Sequence, residues 1–273
     1  MISIVIPAYN EEDNLPVLYK RLVSVAAENT HYKFEFVFVD DCSTDRTPYM
    51  LHELHQKDDR VQFIRFSRNC GAHAASAAGL SFCSGDAAIK MAADLQDPPE
   101  LIPKLIKQWE KGYKVVWGVR KKRLGETFIT LAFSRAFYFL MNRLTNVKQP
   151  PSGGDVTLMD RIVIEALKQC NEKNASNNML IAWLGFSQTN IEYTKEARHA
   201  GSSKWTFSKR IKLFIDSLVS FSYVPLRFMS LCGMLCAIMG FLYGALVLVN
   251  ALRDRIEIQG WSSLMIVVLI LGG

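Results

Sequence analysis

The sequence lacks a glycine-rich phosphate loop. After its first strand-like run, Ile2–Ile6, it contains neither Gly-x-Gly-x-x-Gly nor a Gly-Lys-Ser/Thr triplet. This absence argues against a Rossmann dehydrogenase and against a P-loop enzyme. If a nucleotide binds, its phosphates need a metal ion and basic side chains instead.

The six cysteines lack the CxxC spacing of zinc sites. Cys232 and Cys236 lie one helical turn apart in an apolar run, which favours a packing role. No disulfide framework is apparent, and this is typical of a protein from a reducing compartment. We also expect no cleavable signal peptide, because a strand-like run opens the chain.

Charge is missing from one long stretch near the end of the chain. Phe228–Leu252 contains no charged residue. At a rise of ~1.5 Å per residue, a helix of this length crosses the ~30 Å hydrocarbon core of a bilayer. A second apolar run begins at Trp261 but reaches Gly273 before the ~20 residues of a span are complete. We expect a truncated second helix, with a re-entrant helix as the alternative.

Positive charge is in excess elsewhere. The net charge of +6 and the pI of about 9.0 indicate an anionic partner, which could be nucleic acid, a membrane surface or a phosphorylated substrate. From Lys204 to Phe221 basic and bulky apolar residues alternate, which predicts an interfacial amphipathic helix; a helix packed on the soluble domain is the alternative. Basic residues before the first span place the large domain in the cytoplasm by the positive-inside rule, with a short external turn between the spans. These residues are Lys204, Lys209, Arg210, Lys212 and Arg227.

Short apolar runs alternate with helix-like segments in the first part of the chain. This alternation predicts a parallel sheet with helices on its faces. Two later strands are expected at Tyr113–Val119 and Phe186–Tyr193, and residues 171–178 read as a polar connector. The four early strand-like runs are Ile2–Ile6, Phe34–Val39, Val61–Phe66 and Ala87–Ala93.

Polar side chains follow two of these runs at the point where each strand ends. Asp40 and Asp41 come directly after the second run, and Asp94 and Gln96 come after the fourth. The carboxyl ends of parallel strands share one edge, where open α/β sheets hold ligands. The Asp94 carboxylate beside the Gln96 amide suits a hard cation that also holds a diphosphate. The alternative for Asp40 and Asp41 is an Asx turn with a helix cap. A ligand-binding role is favoured, because a turn and cap do not require two consecutive aspartates.

Three other polar positions are explained by helix starts. Asp97 is expected to be an N-cap, with Pro98 as the first helical residue and Glu100 as the returning member of a capping box. Asn10 is expected to cap the first helix. We therefore assign Asp97 and Glu100 to local structure.

Further candidate ligand-binding residues lie later in the chain. Arg120 directly follows an apolar strand and is a candidate phosphate ligand, whereas Lys121 and Lys122 read as solvated surface. Gly153 and Gly154 before Asp155 permit close backbone approach to a ligand. A turn with a solvent-facing Asp155 is an equal alternative.

Taken in order, these motifs resemble the family 2 glycosyltransferases with the GT-A fold, and within them the polyprenyl-phosphate glycosyltransferase branch. The set covers nearly the whole chain, and its order makes it specific. The matching segments are Ile4–Glu12, Val39–Thr47, Ser67–Gly71, Ala93–Glu100, Gly153–Asp155 and Ser203–Trp205.

The resemblance implies a fold and a domain arrangement. It implies an α/β, Rossmann-like, mostly parallel sheet of GT-A type, followed by an amphipathic juxtamembrane helix and C-terminal transmembrane helices. The expected boundaries are 1–200 for a cytoplasmic catalytic domain, 201–225 for the juxtamembrane region and 226–273 for the transmembrane region. Within the last region, 228–252 is the full span.

The resemblance also implies roles for individual residues. Asp94 and Gln96 would hold Mg²⁺ or Mn²⁺ on the diphosphate, and Asp155 would lie at the acceptor as the candidate base. The nucleotide would contact Pro7, Tyr9, Asn10, Glu11, Asp40, Asp41 and Arg68. The lipid phosphate and diphosphate would meet Arg120, Arg135, Arg198 and Lys204. One departure concerns the metal, because the frequent Asp-Ala-Asp motif here begins with Ala92.

The implied reaction moves a sugar from a nucleotide diphosphate sugar to polyprenyl (undecaprenyl) phosphate with inversion. UDP-glucose is the donor that the resemblance suggests first, and UDP-N-acetylhexosamine, a UDP-amino-pentose and GDP-mannose stay open. The implied partners include no nucleic acid, and the implied assembly is a homotetramer. The implied location is the bacterial inner membrane, with a multi-pass anchor. Two alternatives stay open: transfer to a lipid or polysaccharide hydroxyl, and an inactive membrane-anchored nucleotide-sugar-binding module. The sequence has no Gln-x-x-Arg-Trp motif, which argues against a processive synthase.

Overall fold

The computed structural model describes residues 1–120, 154–170, 176–196 and 222–253, together with positions 216, 219, 260, 264–265 and 267–268. The chain divides into two compact units, Met1–Ser220 and Phe221–Gly273. Each unit is considered separately, and the three-part division at 200 and 225 stays a prediction.

The first unit is built on one sheet, to which the described residues contribute seven strands. The strands are β1 (Ile2–Ala8), β2 (Phe34–Asp40), β3 (Val61–Arg65), β4 (Ala87–Lys90), β5 (Val115–Arg120), β6 (Val156–Asp160) and β7 (Gln188–Tyr193). Their spatial order is β3-β2-β1-β4-β6-β5-β7. All neighbouring strands are parallel except that β6 runs antiparallel to both β4 and β5. The mostly parallel sheet expected of a GT-A fold is therefore confirmed.

Helices connect these strands. They are α1 (Leu15–Glu28), α2 (Thr47–Lys57), α3 (Ala72–Phe82), α4 (Ile102–Trp109), α5 (Arg161–Gln169) and α6 (Asn177–Trp183). The β1–α1–β2–α2–β3–α3–β4 alternation follows the predicted order. A 3₁₀ turn at Pro99–Leu101 leads into α4, and the residues expected to form a polar connector include the start of α6.

The central strands are buried on both faces, which explains their near-continuous apolar sequence. In β1, Ile2, Ile4 and Ile6 pack with Phe36 and Phe38 of β2 in the main core, where the apolar stripe of α1 also packs. β4 is shorter than the predicted run, so Met91 to Ala93 belong to the loop that follows it.

The antiparallel strand β6 brings a distant part of the chain to the ligand-binding edge. Gly118 of β5 pairs with Val156, and Lys90 of β4 pairs with Thr157. Residues just before β6 therefore lie beside residues just after β4 and at the end of β5. This pairing places Asp155 at the same edge as Asp94 and Arg120.

Both predicted helix caps are wrong. The 3₁₀ turn is preceded by Pro98 and has no side-chain cap, and the Asp97 side chain is buried instead of capping the turn. Glu100 pairs with Arg21 at 2.6 Å, so it does not return to the helix start. α1 begins after Asn14, four residues beyond Asn10. In each case a tertiary partner takes the side chain that the local pattern assigned to a cap.

The second unit contains one long helix, α7 (Val224–Leu252). Within the described residues, its segment Leu226–Asn250 is the one helix long and apolar enough to cross a membrane, with a mean hydropathy of 2.3. The expected second span from residue 261 and most of the juxtamembrane region lie outside the described residues.

Candidate active site

Every predicted site residue that the structure describes lies at the carboxyl edge of the sheet, either in a strand near that edge or in an adjoining loop. Pro7 is in β1, and Tyr9, Asn10 and Glu11 follow that strand. Asp40 ends β2, Asp41 directly follows it, and Arg68 follows β3. Asp94 and Gln96 follow β4, Arg120 ends β5 and Asp155 precedes β6. Arg135, Arg198 and Lys204 lie outside the described residues, so their assignment stays a prediction.

Strained backbone is concentrated at this edge. Within the described residues, three non-glycine residues have positive φ: Asn10 (53°), Cys42 (61°) and Leu95 (59°). They follow β1, β2 and β4 respectively. Left-handed conformations cost free energy in non-glycine residues and are concentrated at ligand-binding loops. The observed strain therefore points to the carboxyl edge as the functional one.

The first two loops are tied together by side chains. Ser43 accepts a hydrogen bond from the Asn10 amide (2.9 Å), and the Thr44 amide donates to Asn10 Oδ1 (2.8 Å). The Glu11 amide donates to Thr47 Oγ1 (2.9 Å). Asn10 therefore holds the loop after β1 against the loop after β2.

Asp40 and Asp41 are buried and have structural partners. The Asp41 carboxylate accepts hydrogen bonds from the backbone N–H groups of Cys70 (2.6 Å) and Gly71 (2.8 Å), and these bonds fix the loop after β3. Asp40 accepts the Ser43 amide (3.0 Å), and its other oxygen lies 3.2 Å from Arg65 Nε. These two carboxylates thus order the edge, while the exposed Arg68 is more accessible to a ligand.

Asp94 and Gln96 form the partly exposed face of the loop after β4. Leu95 and Asp97 alternate with them and are 2% and 1% exposed. Within the described residues, no cluster of three or more acidic, histidine or cysteine side chains is arranged to hold a metal. One carboxylate and one amide nevertheless fit Mg²⁺, which commonly takes one or two carboxylates and completes its shell with substrate phosphates and water.

Asp155 is held between two cations. Arg120 Nε donates to Asp155 Oδ2 in a short hydrogen bond, and Lys195 Nζ lies 3.1 Å from the same oxygen. Burial acts to raise the pKa of Asp155, but the hydrogen bond from Arg120 and the charge of Lys195 outweigh it and hold the pKa below its ordinary value. Asp155 is therefore an ionised carboxylate at neutral pH and a weak base.

Asp97, in the loop after β4, is almost completely buried. Tyr193 donates its hydroxyl to Asp97 Oδ1 (2.5 Å), and Lys195 Nζ lies 3.7 Å from that oxygen. Asp97 Oδ2 is buried without a hydrogen-bond partner among the described residues. Burial raises the pKa of Asp97, and the nearby Asp155 carboxylate raises it further against the opposing charge of Lys195.

A buried lysine lies behind these carboxylates. Lys90, in β4, is 9% exposed and donates to Asn178 Oδ1 of α6 at 2.7 Å. Asn178 in turn donates from Nδ2 to the Gly154 carbonyl at 2.7 Å. Burial lowers the pKa of Lys90 to about 8, although Asp155 and Asp97 act to raise it.

Gly154 is explained by packing. A Cβ on Gly154 would lie 2.2 Å from Trp117 Cε3, so the indole ring occupies the space that a side chain would need. The expectation that Gly154 permits close approach to a ligand is not needed to account for this residue.

Sequence reasoning missed four polar residues of the site: Lys90, Asn178, Tyr193 and Lys195. Lys90 is the single charge within the buried run Ala87–Ala93, and this anomaly was a usable signal. Tyr193 and Lys195 are at the end of a predicted strand, but their relevance depends on β7 lying beside β5, where Tyr193 pairs with Arg120. No sequence pattern indicated that Asn178 belongs to the site, because the helix that carries it was not predicted.

Comparison with known proteins identifies the family. The sequence model described as "Glycosyl transferase family 2" matches residues 3–168. A Bacillus subtilis (strain 168) protein named "Uncharacterized glycosyltransferase YkcC" is 42% identical over 99% of this chain and 84% of its own length. The "Bactoprenol glucosyl transferase" of Shigella phage SfV is 36% identical over 100% of this chain and 88% of its own length.

A solved structure supports the fold. Mannosyl-3-phosphoglycerate synthase from Rubrobacter xylanophilus matches with a TM-score of 0.53 and 14% identity, covering 79% of this chain and 71% of that chain. At this identity the likeness concerns the fold alone. Together with the sheet order and the matched sequence, these findings show that the chain belongs to glycosyl transferase family 2.

Proposed function

We propose that this glycosyltransferase moves a sugar from a nucleotide diphosphate sugar to polyprenyl phosphate, with inversion at the anomeric carbon. UDP-glucose is the first donor to test, because relatives at about a third identity are named bactoprenol glucosyl transferases. The product is a lipid-linked sugar for modification of cell-surface glycans. The apolar segment Leu226–Asn250 supports placement at a membrane, where such an acceptor is found.

The ionisation state of Asp155 is the observation that favours a phosphate acceptor over a hydroxyl acceptor. Arg120 and Lys195 keep this carboxylate ionised and weakly basic. A hydroxyl acceptor needs a base that takes its proton during attack. A phosphate monoester has a second pKa of about 6 and is already largely ionised near neutral pH. A weak base at the acceptor position therefore favours a phosphate nucleophile over a hydroxyl.

The residues at the edge have separate tasks in this proposal. Asp94 and Gln96 would hold Mg²⁺ or Mn²⁺, and the bound cation would stabilise negative charge on the departing nucleotide diphosphate. Arg120 and Lys195 bring positive charge to the acceptor side, and Arg135, Arg198 and Lys204 are proposed to bind the phosphates of donor and lipid. Asp155 orients the acceptor or the sugar and is not the main proton acceptor.

The loops after β1, β2 and β3 would hold the nucleotide. Pro7, Tyr9, Glu11 and Arg68 are partly or fully exposed at the edge. Asn10, Asp40 and Asp41 hold these loops in place through the contacts described above. In this proposal, nucleotide binding uses a preformed surface at the edge where the strained residues lie.

We further propose that the protein is a multi-pass protein of the bacterial inner membrane, with its catalytic domain in the cytoplasm, and that it assembles as a homotetramer. Chemical cross-linking in native membranes tests the assembly. Protease accessibility in inverted and right-side-out vesicles tests the orientation. Protection of the first 120 residues in inverted vesicles would contradict a cytoplasmic catalytic domain.

The reaction is tested with a panel of labelled nucleotide sugars. The full-length protein is incubated with polyprenyl phosphate and Mn²⁺, with and without a chelator, and the lipid fraction is analysed. We expect one UDP-sugar to give a chelator-sensitive glycosyl phosphate lipid. Label on a hydroxyl would support the second activity considered above, and donor binding without any product would support a binding module.

A further inference from the structure

The buried lysine of β4 has no task in the reaction described so far. Lys90 is 9% exposed, and burial of an ammonium group is costly unless it is compensated. Its ammonium group donates to the neutral side chain of Asn178, at 2.7 Å. A buried charge that contacts a neutral amide, close to two carboxylates, calls for a physical explanation.

Asn178 has a fixed orientation because of its two partners. Lysine has only hydrogen-bond donors, so Lys90 requires the amide oxygen of Asn178. The Gly154 carbonyl is only an acceptor, so it requires the amide nitrogen, which donates to it at 2.7 Å. Both contacts therefore select the same orientation of the amide, and loss of Lys90 removes one of the two groups that hold Asn178 in place.

Gly154 is the residue directly before Asp155. Its Cα is packed against Trp117 on one side, and its carbonyl accepts from Asn178. The backbone that carries Asp155 is thus held from two directions, and the carboxylate itself is held by Arg120 and Lys195. Lys90, in turn, belongs to the strand that leads to Asp94.

We propose that Lys90 is a positioning residue, which acts through Asn178 and the Gly154 carbonyl to hold Asp155 in register with the loop that carries Asp94. The inference rests on the proposed function, in which Asp155 and Asp94 serve the acceptor and the donor diphosphate. Lys90 itself touches neither substrate. Its positive charge also balances Asp155 and Asp97 without contact that would occupy either carboxylate.

Four variants test this proposal. Lys90→Met removes the donor and the charge while keeping a long side chain. Asn178→Asp keeps an oxygen for Lys90 but loses the donor to Gly154. The double variant combines both changes. Lys114→Met is the matched control, since Lys114 is a partly buried lysine that pairs with Asp160 (2.9 Å) at the opposite edge of the same sheet.

The kinetic readout separates positioning from binding. We expect Lys90→Met and Asn178→Asp each to lower kcat by roughly 10- to 100-fold, because small misplacements of a reacting group cost about this much. KM for the nucleotide sugar should stay within about twofold, since nucleotide contacts are untouched. The double variant should lose no more than either single variant, because residues in one chain of contacts are not additive. Lys114→Met should keep the wild-type kcat.

Amide hydrogen exchange gives a readout that does not depend on activity. In Lys90→Met and Asn178→Asp, the peptide covering residues 154–160 should exchange at least about fivefold faster than in the wild-type protein, as expected for a local loss of order. If Lys90→Met does not fold, Asn178→Asp alone decides by the same two measurements.

The inference is overturned by wild-type kcat in Asn178→Asp, by losses that multiply in the double variant, or by unchanged exchange over 154–160. If the wild-type protein transfers no sugar to polyprenyl phosphate, the proposed function fails, while the exchange experiment still decides whether Lys90 holds this segment.

Discussion

The charged side chains at the two edges of the central sheet differ in their burial and pairing. At the amino edge, charged side chains form partly exposed pairs, such as Lys114 with Asp160 (2.9 Å) and Arg60 with Asp58 (2.8 Å). At the carboxyl edge, Asp97 and Lys90 are almost fully buried, and the loops include the three described non-glycine residues with positive φ.

This difference separates structural charge from functional charge. At the amino edge each of these charged side chains is paired with one of opposite charge, and surface ion pairs of this kind contribute little to stability. The carboxyl edge keeps costly groups in place: a buried lysine bound to an amide, and a buried carboxylate with one oxygen unpartnered among the described residues. Local departures of this kind are expected where a protein maintains a site at the expense of stability.

The largest expected effect concerns the strand β4, which has an aspartate beyond each end. Asp94→Ala should lower kcat by roughly 1,000-fold, because it removes the carboxylate proposed to hold the cation that stabilises the leaving diphosphate. Asp86→Ala, at the exposed amino end of the same strand, should keep the wild-type kcat. Steady-state sugar transfer at saturating Mn²⁺ is the measurement. Metal-dependent turnover at the wild-type rate in Asp94→Ala would contradict the metal site.

The strand β6 offers a second matched pair. Asp155→Asn should lower kcat by roughly 100-fold, since it replaces the charge that Arg120 and Lys195 hold while keeping the shape. Asp160→Asn should leave kcat unchanged, because asparagine can still accept at the helix start. Both rates are measured with the identified donor. Wild-type turnover in Asp155→Asn would exclude an essential role for this carboxylate.

Two tyrosine hydroxyls donate hydrogen bonds to carboxylates, one buried and one exposed, and the cost of removing each can be compared. Tyr193→Phe should destabilise the first unit by about 2 kcal/mol, because Asp97 then loses its hydrogen-bond donor in a buried position. Tyr32→Phe removes a similar contact to Glu110 (2.7 Å) in an exposed position and should cost less than about 0.5 kcal/mol. The measurement is the shift of the thermal unfolding midpoint of each variant from that of the wild-type protein. Equal shifts would mean that Asp97 does not depend on Tyr193.

The smallest effect concerns pH and the amino edge. The hydrogen bond from Arg60 lowers the pKa of Asp58 to about 2 from its ordinary 3.8. A depressed pKa stabilises the folded state above the unfolded-state value, and this contribution is lost as the pH falls from about 3.8 through about 2. After allowance for the exposure of Arg60, we expect about 1 kcal/mol.

Asp58→Asn provides the comparison for that prediction. Thermal unfolding is followed from pH 2 to pH 6 in both proteins. The stability difference should be full at pH 6 and should vanish towards pH 2. A difference that is constant with pH would show that the Asp58 carboxylate is not the titrating group.

Strand positions were predictable because the buried parallel strands have continuous apolar sequences. The same pattern locates the carboxyl ends of these strands, and it therefore predicts that Asp40 and Asp94 lie at one edge. The position of Asp155 was suggested by the family resemblance, and its physical basis is the antiparallel pairing of β6 with β4 and β5.

The errors came from partners that are distant in the sequence. Asp97 looked like a helix cap because the following prolines and Glu100 fit that pattern, but Tyr193 and Lys195 lie almost 100 positions away. Asn10 likewise bonds to residues more than 30 positions later. Local patterns do not reveal such contacts, because they depend on the order of strands in the sheet.

The most direct test of the central claim compares two acceptors that differ by one group. The full-length protein is given labelled donor and Mn²⁺ with either undecaprenyl phosphate or undecaprenol. A weakly basic, cation-bound Asp155 predicts rapid transfer to the phosphate and negligible transfer to the alcohol. Comparable transfer to undecaprenol would contradict the account, because the carboxylate would then be removing a proton that its environment disfavours.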